Sequence, residues 1–167
     1  MEMESLLHPF PAVYDADSLV LILGTLPSVK SREQQFYYGH PQNRFWKTLA
    51  GVLDVPVPDT IDGKKAFLLS HRIALWDVIA SCDIAGSSDA SIRNAVPNDL
   101  TPILETASIR QIFTNGGTAH RLYRKYIYPL TGREDAVLPS TSPANAARSL
   151  DALVDAWQIV REALEAD

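Results

Sequence analysis

Cysteine occurs once in the 167 residues, at Cys82. A lone thiol excludes an intrachain disulfide and any four-cysteine zinc or iron–sulfur site. No apolar run approaches the ~20 residues of a membrane span. The opening "MEMESLLHPF" is acidic and has no basic n-region, so a secretory signal is not expected and the cytoplasm is the default compartment. Positive charge is also scarce: 15 Lys and Arg against 20 Asp and Glu give a net charge of -5. That argues against a broad nucleic-acid-coating surface but leaves room for a small basic face. Lys30, Arg32, Arg44 and Lys47 cluster within one stretch, either as such a face or as ordinary solvated charges. Glycine is too sparse for a phosphate loop: "TNGGTAH" has neither full GxGxxG spacing nor a Walker lysine. His40, His71 and His120 show no metal-ligand spacing, so neither metal nor cofactor is expected.

What is present reads as one soluble globular domain over residues 1–167, expected as a monomer; its mean hydropathy is -0.05. Four short apolar runs, 18–24, 72–79, 108–116 and 135–143, alternate with helical patterns. The runs are continuous rather than alternating, as expected of strands covered on both faces. Helices are expected over 43–53, 62–70, from about Asp99 with Pro102 in the first turn, over 117–127 and over 144–165. In the last, Leu150, Leu153, Val154, Trp157, Val160 and Leu164 recur at threes and fours, a core-facing stripe. The pattern predicts a three-layer α/β/α sandwich around a central four-stranded parallel sheet. Ligands of such sheets bind beyond the C-terminal ends of the strands. Here those ends run into "GTLPSVKS", "DVIASCD", "NGGTAH" and "PSTSPANA", all polar or rich in Gly and Pro.

The densest segment is "FYYGHPQNRFWKTL", residues 36–49. Phe36, Tyr37, Tyr38, Phe45 and Trp46 share it with a Gly, a His-Pro and an Asn-Arg. That mixture suits neither a plain core strand nor a plain surface loop.

"GTLPSVKSREQQFYYGHPQNRFWKTL" together with "LPSTSPANA" resembles the uracil-DNA glycosylase superfamily, over residues 19–149. "HPQNRFWK" is similar to a segment of the mismatch-specific members, and the combination is most similar to the hypoxanthine-DNA (DNA-deoxyinosine) glycosylase branch. The resemblance implies base-excision repair: a monofunctional enzyme that flips and hydrolytically releases deaminated bases, with damaged DNA as partner and no iron–sulfur cluster. One departure stands out. Uracil-cleaving members carry a catalytic Asn or Asp where this sequence has Leu26, which cannot orient a water. In the hypoxanthine branch the resemblance passes that role to Asn43.

The chemistry suits these residue types. A flipped base needs a stacking surface, worth ~1–3 kcal/mol per base. Tyr38 is the expected platform, Phe36 the second choice, and Tyr37 is expected to pack under the loop. Bond cleavage develops cationic character on the sugar, by analogy with other glycosyl transfers, so the water needs placement above all. The carbonyl of Asn43 can accept a water hydrogen and aim its oxygen; the same residue can also cap the helix that follows. Backbone N–H groups of "GTLPS" and the hydroxyls of Ser140 or Ser142 are candidate donors to the departing base. Asp77 either accepts the N1–H of hypoxanthine or caps the next turn. Leu26 and Asn115 complete the expected base pocket. Ser140, Thr141, Ser142, Ala144 and Asn145, with Arg44, are expected to meet DNA phosphate, with Lys30 and Arg148 as further basic candidates. The loop is also simply a Ser/Thr/Pro helix start, and His40 is a structural histidine or an acid.

Overall fold

The computed structural model describes residues 4–8, 10–26, 29–84 and 92–166. Four parallel strands form its centre: β2 (Val20–Gly24), β3 (Ile73–Asp77), β6 (Gln111–Asn115) and β7 (Asp135–Leu138), in the order β3-β2-β6-β7. The expected four-stranded parallel sheet is therefore observed. Alternate residues of one strand feed two separate cores. Val20 and Ile22 of β2 face one, and Leu21 and Leu23 face the other. All four are fully buried, and this is why the run reads as continuous apolar sequence.

The first core is closed by α2 (Phe45–Leu53), α3 (Ile61–Ser70), α7 (Leu150–Ala156) and α8 (Gln158–Glu165). The second is closed by α4 (Thr101–Thr106), α5 (Gly117–Leu122) and a wide turn of π-helix, Tyr123–Ile127. Two short helices complete the set: α1 (Val29–Gln34), ahead of the aromatic segment, and α6 (Tyr128–Thr131). The result is the expected α/β/α arrangement.

A second sheet was not expected. β1 (Glu4–Leu7), β4 (Ile79–Ile84) and β5 (Arg93–Pro97) pair antiparallel in the order β1-β4-β5. The run 72–79 is thus two elements. β3 stays paired with β2 as far as Gly24; then Val78 and Ile79 donate to the carbonyls of Gly24 and Thr25, and the chain passes into the small sheet. β4 and β5 are short and partly exposed, with polar residues among apolar ones, so they carry no long periodic signal.

The helices also differ at their joints. The first, expected over 43–53, begins at Phe45. That expected from Asp99 begins at Thr101, whose N–H Asp99 accepts at 3.0 Å; the Thr101 hydroxyl first and this N–H second hold the Asp99 carboxyl below its usual range. The helix expected over 117–127 widens into its π-turn just ahead of Pro129, which has no N–H to continue an i→i−4 ladder. The helix expected over 144–165 is three pieces: a 3-10 turn (Pro143–Asn145), α7 and α8. Ser149 starts α7 by accepting from Ala152 N–H. Trp157 separates α7 from α8, fully buried, its indole N–H donating to Pro139 O at 2.9 Å.

Candidate active site at the strand ends

Register places the strand ends together. Gly24 lies opposite Asp77, and Asn115 lies opposite Leu138, whose chain runs on into the 139–145 loop. The aromatic segment folds over this edge. Gln35 and Tyr38 sit at left-handed backbone angles, φ 58 and φ 54. Tyrosine is rarely found there, so the loop holds Tyr38 against a local conformational cost. Its ring stands edge-on to Phe45 at 4.1 Å.

Gly24 makes room for the site. A Cβ there would lie 2.5 Å from Asp77 Oδ1 and 2.8 Å from the Tyr38 hydroxyl, so both oxygens sit against this one glycine. Burial, then the charge of Asp77, raise the Tyr38 phenol far above its ordinary range, and the same two causes act on Tyr37. Asp77 is buried, and its Oδ2 meets His8 Nε2 at 2.8 Å. No sequence signal marked His8, which stands 69 residues away.

A polar chain links three elements. Asn115 Nδ2 donates to the Tyr38 hydroxyl at 3.2 Å and to Thr141 Oγ1 at 3.0 Å, while its Oδ1 accepts from Thr141 N–H at 3.1 Å. Thr141 Oγ1 in turn donates to Asn43 Oδ1 at 2.9 Å, and Phe45 N–H donates to the same oxygen at 3.0 Å. Asn43 Nδ2 has no protein partner among the described residues.

These bonds correct several expectations. Asn115 has both ends of its amide engaged inside the protein, holding Tyr38 and Thr141. Thr141, at 0% exposure, cannot reach phosphate; it is the hub that ties the loop to Asn43. The oxygen of Asn43 already accepts two bonds, which fill the lone pairs of an amide carbonyl, so its NH2 group is the part left with hydrogen-bonding capacity. Arg44 holds the N-cap position of α2, and Asn43, one residue earlier, accepts the Phe45 N–H at the helix start. Phe36, the second-choice platform, is 4% exposed, stacked on Trp46 and edge-on to Tyr37. Tyr37 packs beneath, donating to Pro11 O at 2.9 Å.

The 139–145 loop is braced from below. Arg44 N–H donates to Thr141 O, and its guanidinium donates to the carbonyls of Asn145 and Arg148. A tight loop leaves carbonyls without partners, and Arg44, at the mouth of α2, supplies them. Two of its five N–H donors therefore brace the loop. Asn145 donates to Ser140 O. Ser140 Oγ accepts from Ser142 N–H and Ser142 Oγ from Ala144 N–H, which leaves both hydroxyl protons for an outside acceptor. Leu26 is half-buried against the second core. His40 is exposed, and its Nδ1 accepts from Gln42 N–H within the turn. Pro27, Ser28 and the Lys30 side chain lie outside the described residues.

A family model described as the uracil DNA glycosylase superfamily matches residues 11–161. The chain belongs to the uracil DNA glycosylase superfamily. Two relatives align with most of this chain. A protein of Methanosarcina acetivorans named hypoxanthine DNA glycosylase is 39% identical over 138 residues, 81% of this chain and 86% of the relative. One from Methanosarcina barkeri with the same name is 30% identical over 149 residues, 89% of this chain and 93% of the relative. A solution NMR structure from Methanosarcina acetivorans, described as a candidate uracil DNA glycosylase, superposes with a TM-score of 0.79. It is 35% identical and covers 94% of this chain and 97% of its own.

Proposed function

We propose that this superfamily member is a monofunctional DNA glycosylase that releases deaminated bases from DNA, hypoxanthine first. The observation that carries the reading is the meeting of Asp77 Oδ1 and the Tyr38 hydroxyl at Gly24, on the edge that also holds Asn43. Deamination turns a bare ring nitrogen into an N–H: N1 of adenine in hypoxanthine, N3 of cytosine in uracil. A carboxylate only accepts hydrogen bonds, so Asp77 favours the deaminated base over its parent. Tyr38 stacks on the flipped base, and Leu26 adds apolar wall.

As the glycosidic bond breaks, its electron pair leaves with the base and positive character builds on the sugar carbon. A water oxygen attacks that carbon, and the proton it sheds balances the one the departing base anion takes up, leaving a sugar hydroxyl and the neutral free base. Asn43 holds this water by donating from its amide nitrogen to one lone pair of the water, while the second lone pair attacks. Its oxygen, bonded to Thr141 and Phe45, fixes the direction of the amide. Ser140 and Ser142 donate to phosphate. No lysine is assigned a Schiff-base role, so base release stops at the abasic site. We place the protein in the cytoplasm as a monomer acting on damaged DNA; among the described residues no helix is long and apolar enough to cross a membrane.

The test is an inosine-containing oligonucleotide incubated with the protein and then treated with alkali. Strand cleavage after alkali, and none before it, is the expected result. A retarded complex without cleavage would instead establish a silent binding module that keeps the pocket and lacks turnover, as Leu26 at the usual catalytic position invites.

A further inference from the structure

His8 lies just past β1, outside every motif that marks the site. Its N–H donates to Ala80 O of β4 at 2.7 Å, so the small antiparallel sheet fixes its backbone. The ring packs edge-on to Phe10 at 4.8 Å, with Tyr37 at 6.0 Å and Trp76 at 6.5 Å. The side chains of His8 and Asp77 are 5% and 4% exposed, with Nε2 and Oδ2 2.8 Å apart. A carboxylate this deeply buried is costly unless a partner donates to it. The bond puts an imidazole proton on Nε2, and Nδ1 is buried with no partner among the described residues. The ring is therefore aimed wholly at Asp77. With Oδ2 occupied, the other carboxylate oxygen, Oδ1, is the one that faces Gly24 and the Tyr38 hydroxyl.

We propose that His8 is the specificity-determining positioning residue of this site: by donating to Asp77 Oδ2 it holds Oδ1 beside Gly24 and the Tyr38 hydroxyl as a fixed acceptor for the ring N–H that deamination creates. This rests on the reading of Asp77 as the base-reading group. It also gives the small sheet a task, since pairing of β1 with β4 is what delivers His8 to the end of β3. His8 touches no base itself and acts through Asp77.

The experiment compares single-turnover release of hypoxanthine from an inosine-containing duplex by intact wild-type protein and by His8→Phe, His8→Gln, Asp77→Asn and the His8→Phe/Asp77→Asn double variant. Binding to a duplex with an abasic-site analogue is measured alongside. Losing a hydrogen bond to a charged group predicts a rate on the order of 10- to 100-fold lower for His8→Phe. His8→Gln, whose amide N–H can replace Nε2–H, should stay within a few fold of wild type. The double variant should be no slower than Asp77→Asn alone, and abasic-site binding should be unchanged throughout. Should His8→Phe fail to fold, His8→Asn, with an amide too short to reach Asp77, takes its place. A His8→Phe rate equal to wild type overturns the inference, as does a double variant slower than Asp77→Asn by the factor His8→Phe shows alone. Wild-type protein that releases no base, or Asp77→Asn as fast as wild type, defeats the underlying reading of the site and this inference with it, and either is distinct from an effect confined to His8.

Discussion

Asn43 carries two duties through two different atoms. Its oxygen accepts the first N–H of α2 and the Thr141 hydroxyl, and its nitrogen keeps its N–H donors for the proposed water. The two duties separate by substitution. Asn43→Asp keeps an oxygen for the cap but removes the N–H donor, so it should fold with wild-type stability and lose most single-turnover base release. Asn43→Ala should lose the rate too, and also ~0.5–2 kcal/mol of stability with the cap. Urea unfolding and single-turnover rates on the same preparations check both; a fast Asn43→Asp would move the water to the carbonyl side. Tyr38 is argued in the same way. Tyr38→Ala should cost the ~1–3 kcal/mol of a lost stack, read as a lower rate on inosine DNA. Tyr38→Phe keeps the ring and loses only the bond from Asn115, so its effect should be mild.

The element that decides the site's shape is the 139–145 loop, held to β6 by Asn115 and to the start of α2 by Asn43 and Arg44. Thr141 joins these elements from a fully buried position. Thr141→Val keeps the shape and removes the hydroxyl, leaving Asn115 Nδ2 and Asn43 Oδ1 each short of a partner. An unsatisfied buried group costs about 1–3 kcal/mol, so the variant should be destabilised by that order. It should also lose base release beyond what its folded fraction explains, since Asn43 is no longer aimed. Chemical denaturation with activity per folded molecule measures both; full activity at reduced stability would make Thr141 a packing residue only.

At the scale of the whole molecule, buried phenols make stability depend on alkaline pH. Tyr37 and Tyr38 are raised above their ordinary value of 10.0 by burial first and by the charge of Asp77 second. In the unfolded chain these phenols ionise near pH 10, while in the folded protein they keep their protons. The folded state therefore binds more protons above that pH. Their contribution is fully present below about pH 10 and is lost as pH rises beyond it. Urea midpoints should fall between pH 9 and 11, and Tyr37→Phe should flatten that fall while costing about 1 kcal/mol at neutral pH through the lost bond to Pro11 O. Equal slopes in both proteins would contradict this assignment.

The sequence by itself determined the central sheet, because strands buried on both faces must be continuous apolar runs, and β2 and β6 read that way. It also determined the family, because "FYYGHPQNRFWKTL" and "STSPANA" are local strings that survive without coordinates. It determined that Asn43, Tyr38 and Asp77 share an edge, since parallel strands place their C-terminal turns together. Only the tertiary structure decided what each polar atom does. Asn115 and Thr141 have the residue types of a binding site, but their partners come from distant segments and turn them inward. Phe36 and Tyr38 are two residues apart in one aromatic run; the left-handed turn at Tyr38 sends Phe36 into the first core and leaves Tyr38 half-buried beside Asp77 and Asn115. The small sheet was illegible because its strands are short and half-exposed, and with it His8. A hydrogen bond spanning 69 residues leaves no periodicity or spacing in the chain, and exists only once β1 has paired with β4.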